Sequence, residues 1–192
     1  RSGRMDHRDH VALIREGVTD GGTSWADFGS GGGAFTLALA DLLGPAGKIY
    51  SVDRDRSALA RQAQAMRGRF PTTEVHYRQG DFAQPLSVPP LDGIVMANAL
   101  HFTKDKLPVL RTIFAALRPG GRLVLVEYNT DHGNAWVPYP LTFATWQALA
   151  REAGFAETRL VAMRPSRFLG QIFSAVSIRP SMQDESVGVA SA

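Results

Sequence analysis

WADFGSGGGAF, residues 25 to 35, sets a carboxylate, Asp27, two positions before a loop with glycine at 29, 31, 32 and 33. Glycine costs backbone entropy in regular structure, so such a cluster marks a place where the chain takes left-handed angles or lies close to something else. A helix opening after the loop would aim its free N–H groups at whatever sits above it. Two more carboxylates close apolar runs, Asp53 in SVDRD and Asp81 in QGDF. A carboxylate accepts on both oxygens, which suits hydroxyl and amino groups of a ligand. A second set, His101, Glu127, Tyr128, His132 and Tyr139, has side chains that give or take a proton. With no cysteine in the chain, thiol nucleophiles and thiolate metal sites are excluded. His7 and His10 do not form a metal set by themselves.

These residues need elements to hold them. The chain has 192 residues, 44% apolar and 20% charged, the balance of one globular domain with its own core. Helices are expected over 6–18, 34–43, 55–67, 105–117 and from the capping Thr142 to Ala153. Strands are expected over 25–28, 49–52, 75–78, 93–97, 123–126, 157–163 and 168–178. The helix over 55–67 should bury Leu59, Ala63 and Met66, and Arg118 to Gly121 should form a turn. The alternation of 75–78 suggests a strand near the sheet edge. Strands alternating with helices predict an α/β fold with a doubly wound, mainly parallel seven-stranded sheet. No helix separates the final two strands, so the last must run antiparallel. Arg54, Arg56, Arg61, Arg67, Arg69 and Arg78 make a basic stretch in a chain of net charge +3. Such a stretch suits an anionic partner; here it reads as a solvated helix face.

Three ligands compete for a glycine loop beyond the carboxyl ends of parallel strands. A nucleoside triphosphate fits badly, because Gly44-Pro45-Ala46-Gly47-Lys48 lacks the GxxxxGK[ST] spacing and runs into Ile49. A nicotinamide dinucleotide fits better: Gly29-x-Gly31-x-x-Ala34 matches GxGxx[GA], and Asp53 follows Gly29 by 24 positions (53 − 29). No tyrosine is followed by lysine at the fourth position, unlike short-chain dehydrogenases. The third candidate is S-adenosylmethionine. Asp27-x-Gly29-x-Gly31-x-Gly33 resembles the acidic-x-Gly-x-Gly-x-Gly motif of class I S-adenosylmethionine-dependent methyltransferases. LDGIVMANALHF, LRPGGRLVLVEY and WQALAREAGF resemble that family's fourth strand, its fifth strand and turn, and the helix before its final hairpin. With SVDRD and QGDF, the likeness spans residues 20–178.

The resemblance implies a Rossmann-like fold and roles for particular residues. Asp27 would serve the cationic end of the cofactor, with Gly29, Ser30, Gly31 and Gly33 around its amino-acid part. Asp53 would accept from the ribose hydroxyls and Asp81 from the adenine amino group, while Phe82 or Arg54 covers the ring. Ala97 and Asn98, leaving the fourth strand, would approach the methionyl part. The implied function is methyl transfer to a small-molecule acceptor by in-line displacement, with His101, Tyr128 and His132 as candidates for any base. Residues 1–19 are expected to form a helical segment over the site, 20–179 the methyltransferase domain and 180–192 a disordered tail. Trp136 and Tyr139 would line the acceptor pocket or pack as a lid. Cytosine C5 and arsenite methylation both call for cysteines, and the Asp/Asn-Pro-Pro-Tyr motif of amino-group DNA methyltransferases is missing after the fourth strand. The expected partners are therefore a small molecule and no nucleic acid or membrane, with a homodimer as one way to cover the site, in the cytoplasm and with no metal. An NAD(P)-dependent oxidoreductase, or a non-catalytic S-adenosylmethionine-binding regulatory or scaffold protein, stand as alternatives.

Overall fold

Asp6 opens the first helix, α1 (His7–Val18), through a capping box: its side chain accepts from the Asp9 N–H while the Asp9 side chain accepts from its own. The computed structural model describes residues 4–183; the tail expected to be disordered lies, beyond residue 183, outside the described residues. After α1 come β1 (Ser24–Phe28), α2 (Ala34–Leu43), β2 (Lys48–Asp53), α3 (Arg56–Arg69), β3 (Glu74–Gln79) and β4 (Leu91–Ala97). There follow α4 (Leu107–Ala116), β5 (Leu117–Tyr128), α5 (Phe143–Glu152), β6 (Glu157–Ser166) and β7 (Gly170–Ile178). Pro108 sits in the first turn of α4, where its missing N–H costs nothing.

The strands form one seven-stranded sheet in the order β3-β2-β1-β4-β5-β7-β6, parallel from β3 to β5. β7 runs antiparallel to both β5 and β6, as the missing crossover helix requires. Strand alternation splits the core in two. Ile94, Met96, Leu123 and Leu125 pack on one face with α4 and α5; Val95, Val124 and Val126 pack on the other with α1 and α2. Leu13 and Ile14 of α1 are fully buried. The chain leaves β1 for β2 on one side, and β4 lies on the other. The crevice for a ligand therefore opens at the carboxyl ends of β1 and β4.

Two local expectations are corrected. Arg118 to Gly121 belong to β5 rather than to a free turn: Leu91 pairs with Leu117, but Gly93 pairs with Arg122. The extra residues bulge out of the ladder, with Gly120 at φ +79°. In α3 the buried stripe includes Gln62 rather than Ala63. A polar side chain takes the inward place because the glycine loop offers it hydrogen bonds.

Candidate active site

The glycine loop is held by its neighbours at almost every peptide. The N–H groups of Gly29 and Ser30 both donate to the Val52 carbonyl of β2, at 2.9 and 3.0 Å. Gly29 has φ +74°, and a Cβ there would lie 2.7 Å from the Cβ of Ala99. Gly33 caps α2 in the left-handed conformation, facing Gln62. Gln62 donates to Ser30 Oγ (2.9 Å) and to the Gly31 carbonyl (3.0 Å), and Ser51 Oγ lies 2.7 Å from its amide oxygen. Asp53 accepts from the Gly31 N–H on one oxygen and from the Asp55 N–H on the other, both at 2.8 Å. The loop is thus pre-shaped by buried polar partners, each satisfied by another.

Asp27 lies beneath this loop, 1% exposed, and accepts from the Thr36 hydroxyl at 2.8 Å. Burial pushes its carboxyl pKa up to about 7; the Thr36 hydroxyl opposes the rise and the charge of Asp53 adds to it. Asn98 leaves β4 with φ +52°, its N–H donating to the Val126 carbonyl at 2.9 Å. Its side-chain oxygen is buried and has no hydrogen-bond partner. Leaving a buried acceptor unpaired costs roughly 1–3 kcal/mol, which a ligand N–H would recover. Asp27, Asn98, Ala97, Ser30 and the glycines 29, 31 and 32 line one cavity of about 590 Å³. Arg4, Met5, His7 and His10 line it from the N-terminal segment, and Arg69 from the end of α3.

None of the remaining candidates lines that cavity. Asp81 accepts from the Ala83 N–H at 2.9 Å and pairs at 3.6 Å with the exposed Arg54. The Phe82 ring packs over Gly29. His101 is buried, its Nδ1 2.7 Å from Glu127, and the second Glu127 oxygen accepts from the His101 N–H at 3.2 Å. Tyr128 is half-buried, and burial and the Glu127 charge raise its hydroxyl above the ordinary range. His132 is exposed in the 129–141 loop, with its N–H on Thr130, and does not line the cavity. A second cavity of about 430 Å³, between the 84–90 loop and α4, is lined by Phe28, Leu86, Val88 and Arg111 and none of the candidates.

Some residues at the site escape sequence reasoning. Gln62, Thr36 and Ser51 carry no motif, though a glutamine between Leu59 and Met66 at helical spacing is a signal. His10 stands at the cavity, its ring edge-to-face with Phe35 at 5.0 Å, and burial lowers its pKa, with His7 adding to the effect. The N-terminal segment is expected over the site, but that Met5, His7 and His10 are its residues at the cavity is not legible from their spacing, because their partners lie on α2 and the loop.

A family model described as a methyltransferase domain matches residues 26–123, just over half of the chain. The chain belongs to that methyltransferase family. It is 31% identical to the ubiquinone/menaquinone biosynthesis C-methyltransferase UbiE of Pasteurella multocida over 54% of this chain and 39% of that protein. It is 29% identical to the arsenite methyltransferase of Aquipseudomonas alcaligenes over 80% of this chain and 49% of that protein. It therefore spans about two fifths to one half of the length of these relatives. The YcgJ protein of Bacillus subtilis shares the fold, with a TM-score of 0.74 at 14% identity, over 91% of this chain and all of that one.

The family's methyl donor is S-adenosylmethionine. The cavity suits it: a carboxylate whose charge is costly without a cation, an unpaired amide oxygen and a glycine backbone open to close approach stand together.

Proposed function

We propose that this chain carries out S-adenosylmethionine-dependent methyl transfer to a small-molecule acceptor by in-line displacement. The observation that carries the reading is the unpaired Asn98 oxygen in one cavity with Asp27. When bound, the cofactor supplies a methyl group on a sulfonium, an activated carbon with a neutral leaving group. Asp27 and Asn98 Oδ1 would hold the cationic amino group, and the loop from Gly29 to Gly33 would lie along the amino-acid part. Asp53 keeps a free lone pair on each oxygen after its two backbone bonds, enough for the ribose hydroxyls. Asp81 would take the adenine amino group, with Phe82 or Arg54 against the ring. The N-terminal segment from Arg4, through α1, would cover the cofactor, and the chain's own contribution to rate would be orientation and exclusion of water.

A dinucleotide is disfavoured by the same carboxylate, since a pyrophosphate over the loop would face Asp27 as a buried like charge. The relatives' names cover ubiquinone/menaquinone biosynthesis and arsenite, so no acceptor transfers from them, and this chain has no cysteine for arsenite. We place the protein in the cytoplasm, acting without nucleic acid, with a homodimer as a candidate cover for the open side of the site. No helix among the described residues is long and apolar enough to cross a membrane.

Calorimetry with S-adenosylmethionine and with NADH tests the reading. Binding of the first is expected; binding of NADH alone would overturn it. Transfer of label from methyl-labelled cofactor to any member of a small-molecule panel separates an enzyme from a scaffold that only binds.

A further inference from the structure

All parallel crossovers of the sheet but one carry a helix. α2, α3 and α4 join β1 to β2, β2 to β3 and β4 to β5, while β3 reaches β4 through residues 80–90 without one. A right-handed crossover from β3 back past β2 and β1 runs over the face that holds α4. That face therefore has an irregular segment where a helix would pack, and the cavity of about 430 Å³ lies under it. Leu86 and Val88 of the segment bound it on one side and Phe28 of β1 on another. The third side is a stripe of α4 with Arg111, Thr112 and Ala115, whose short side chains leave the space open.

The volume is that of a small-ligand pocket, and the lining is mostly apolar. The Thr112 hydroxyl already donates to the Pro108 carbonyl at 3.2 Å. Arg111 is the one charged residue of the lining. Among the described residues its guanidinium has no hydrogen bond or ion pair. Neither α4 nor residues 82–90 contains an acid that could pair with it. An apolar cavity with one unmatched cation at its wall selects a ligand with an apolar body and one negative charge. A carboxylate fits the guanidinium fork with two parallel hydrogen bonds. A phosphate monoester brings nearly two charges against one cation, and the excess would lie beside an apolar lining. The aliphatic side chains of Leu86, Val88 and Ala115 suit an aliphatic body.

The segment over this cavity also reaches the cofactor site. It opens with Asp81 and Phe82, and the Phe82 ring packs over Gly29. Leu86 packs back on Gly80, where a Cβ would lie 2.9 Å from its Cδ2. From Phe82 to Val88 the backbone N–H bonds stay inside the segment: Ala83 and Gln84 donate to Asp81, both at 2.9 Å, and Val88 to Leu86 at 3.0 Å. Side-chain packing is what holds this stretch to the rest of the molecule, and a molecule in the cavity would extend that packing.

We propose that this cavity is a second ligand site, for an aliphatic monocarboxylate held by Arg111, and that its occupant steadies the segment that presents Asp81 and Phe82. The site stands on its own residues; its effect on cofactor binding rests on the S-adenosylmethionine reading above. The coupling is reciprocal, so the cofactor would tighten carboxylate binding by the same factor.

Calorimetry on the whole chain with sodium octanoate, free of cofactor, tests the site. Octanoate should bind, and octanol, with the same body and no charge, about tenfold more weakly. Arg111→Gln, at an exposed position, should weaken octanoate by about tenfold and leave octanol unchanged, and Arg111→Lys should recover part of the loss. Ala115→Leu, also exposed, fills the cavity and should abolish binding of both. No octanoate binding to the wild-type chain, or undiminished binding in Arg111→Gln or Ala115→Leu, would overturn the site. Octanol binding as tightly as octanoate would overturn the carboxylate. S-adenosylhomocysteine is then titrated with and without saturating octanoate, and its affinity should rise several-fold. Equal affinities would overturn the coupling alone. If S-adenosylhomocysteine does not bind while octanoate does, the cofactor reading fails and the site stands.

Discussion

Asp27 concentrates the logic of the site in one side chain. A carboxylate with 1% exposure stays protonated up to about pH 7 in the folded chain, against 3.8 in an open one. The folded state therefore holds an extra proton between those values. The stability tied to that proton is fully present below about pH 4 and lost as pH rises through 7, a change of about 4 kcal/mol. Asp27→Asn keeps the shape and removes the charge. Urea unfolding should show the variant gaining on wild type from about pH 5 to about pH 8, while its affinity for S-adenosylmethionine drops. Equal pH slopes for the two proteins would show that Asp27 ionises freely. Because the cation favours the ionised acid, wild-type affinity should rise as pH passes through about 7, with protons released on binding below that point. Asp53→Ala tests the neighbouring acid. It frees the Gly31 and Asp55 amides and should weaken cofactor binding by roughly 1–3 kcal/mol in calorimetry. Unchanged affinity would place the adenosine elsewhere.

Elements turn these residues into a site. The glycine loop joins β1 to α2, but its shape is enforced by β2 through Val52 and Asp53 and by α3 through Gln62. Gly29→Ala adds a Cβ 2.7 Å from that of Ala99 at φ +74° and should cost stability by about 1–3 kcal/mol. Cofactor binding should fall further, since the loop must shift to admit the methyl group. Helix α1 reaches the cavity with its first turn and the core with its last. His7 bonds Asp41 of α2 at 2.8 Å, and Asp9 pairs with Arg164 of β6, which tie the helix to both sides. Asp6→Ala removes the cap and should lower stability by about 1 kcal/mol, read as a shift in the denaturant midpoint. A wild-type midpoint would mean that packing alone positions the helix.

At the scale of the whole molecule, the sheet order brings the ends of β1, β2 and β4 to one rim and places β5 beside them. That order sets the strand end that carries Asn98 beside the one that carries Glu127. The same sheet tolerates little change at its centre: a Cβ on Gly93 of β4 would lie 2.4 Å from the Trp25 ring of β1. Gly93→Ala should therefore destabilise the whole fold by about 1–3 kcal/mol, visible as a lower melting temperature. A variant as stable as wild type would mean the ring has room to move.

Much of this architecture is legible in one dimension because its causes are local. Period-two and helical patterns, glycine punctuation and an acid before the loop depend on neighbours a few residues away, and these placed the elements and the antiparallel β7. The misreadings share the opposite cause. Arg118 to Gly121 look like a turn until β4 is beside them to continue the ladder, and Ala63 looks buried until the glycine loop, some 30 residues earlier, offers Gln62 its partners. His10 faces a cavity whose other wall is the glycine loop, and Glu127 finds His101 across 26 positions of chain. Hydrogen bonds and burial between distant segments exist only once the sheet has closed, so the methyltransferase likeness is legible in the loop taken together with Asp53, Asp81 and the fourth and fifth strands, while the pairing of His101 with Glu127 and the place of His10 in the cavity wall come from the fold.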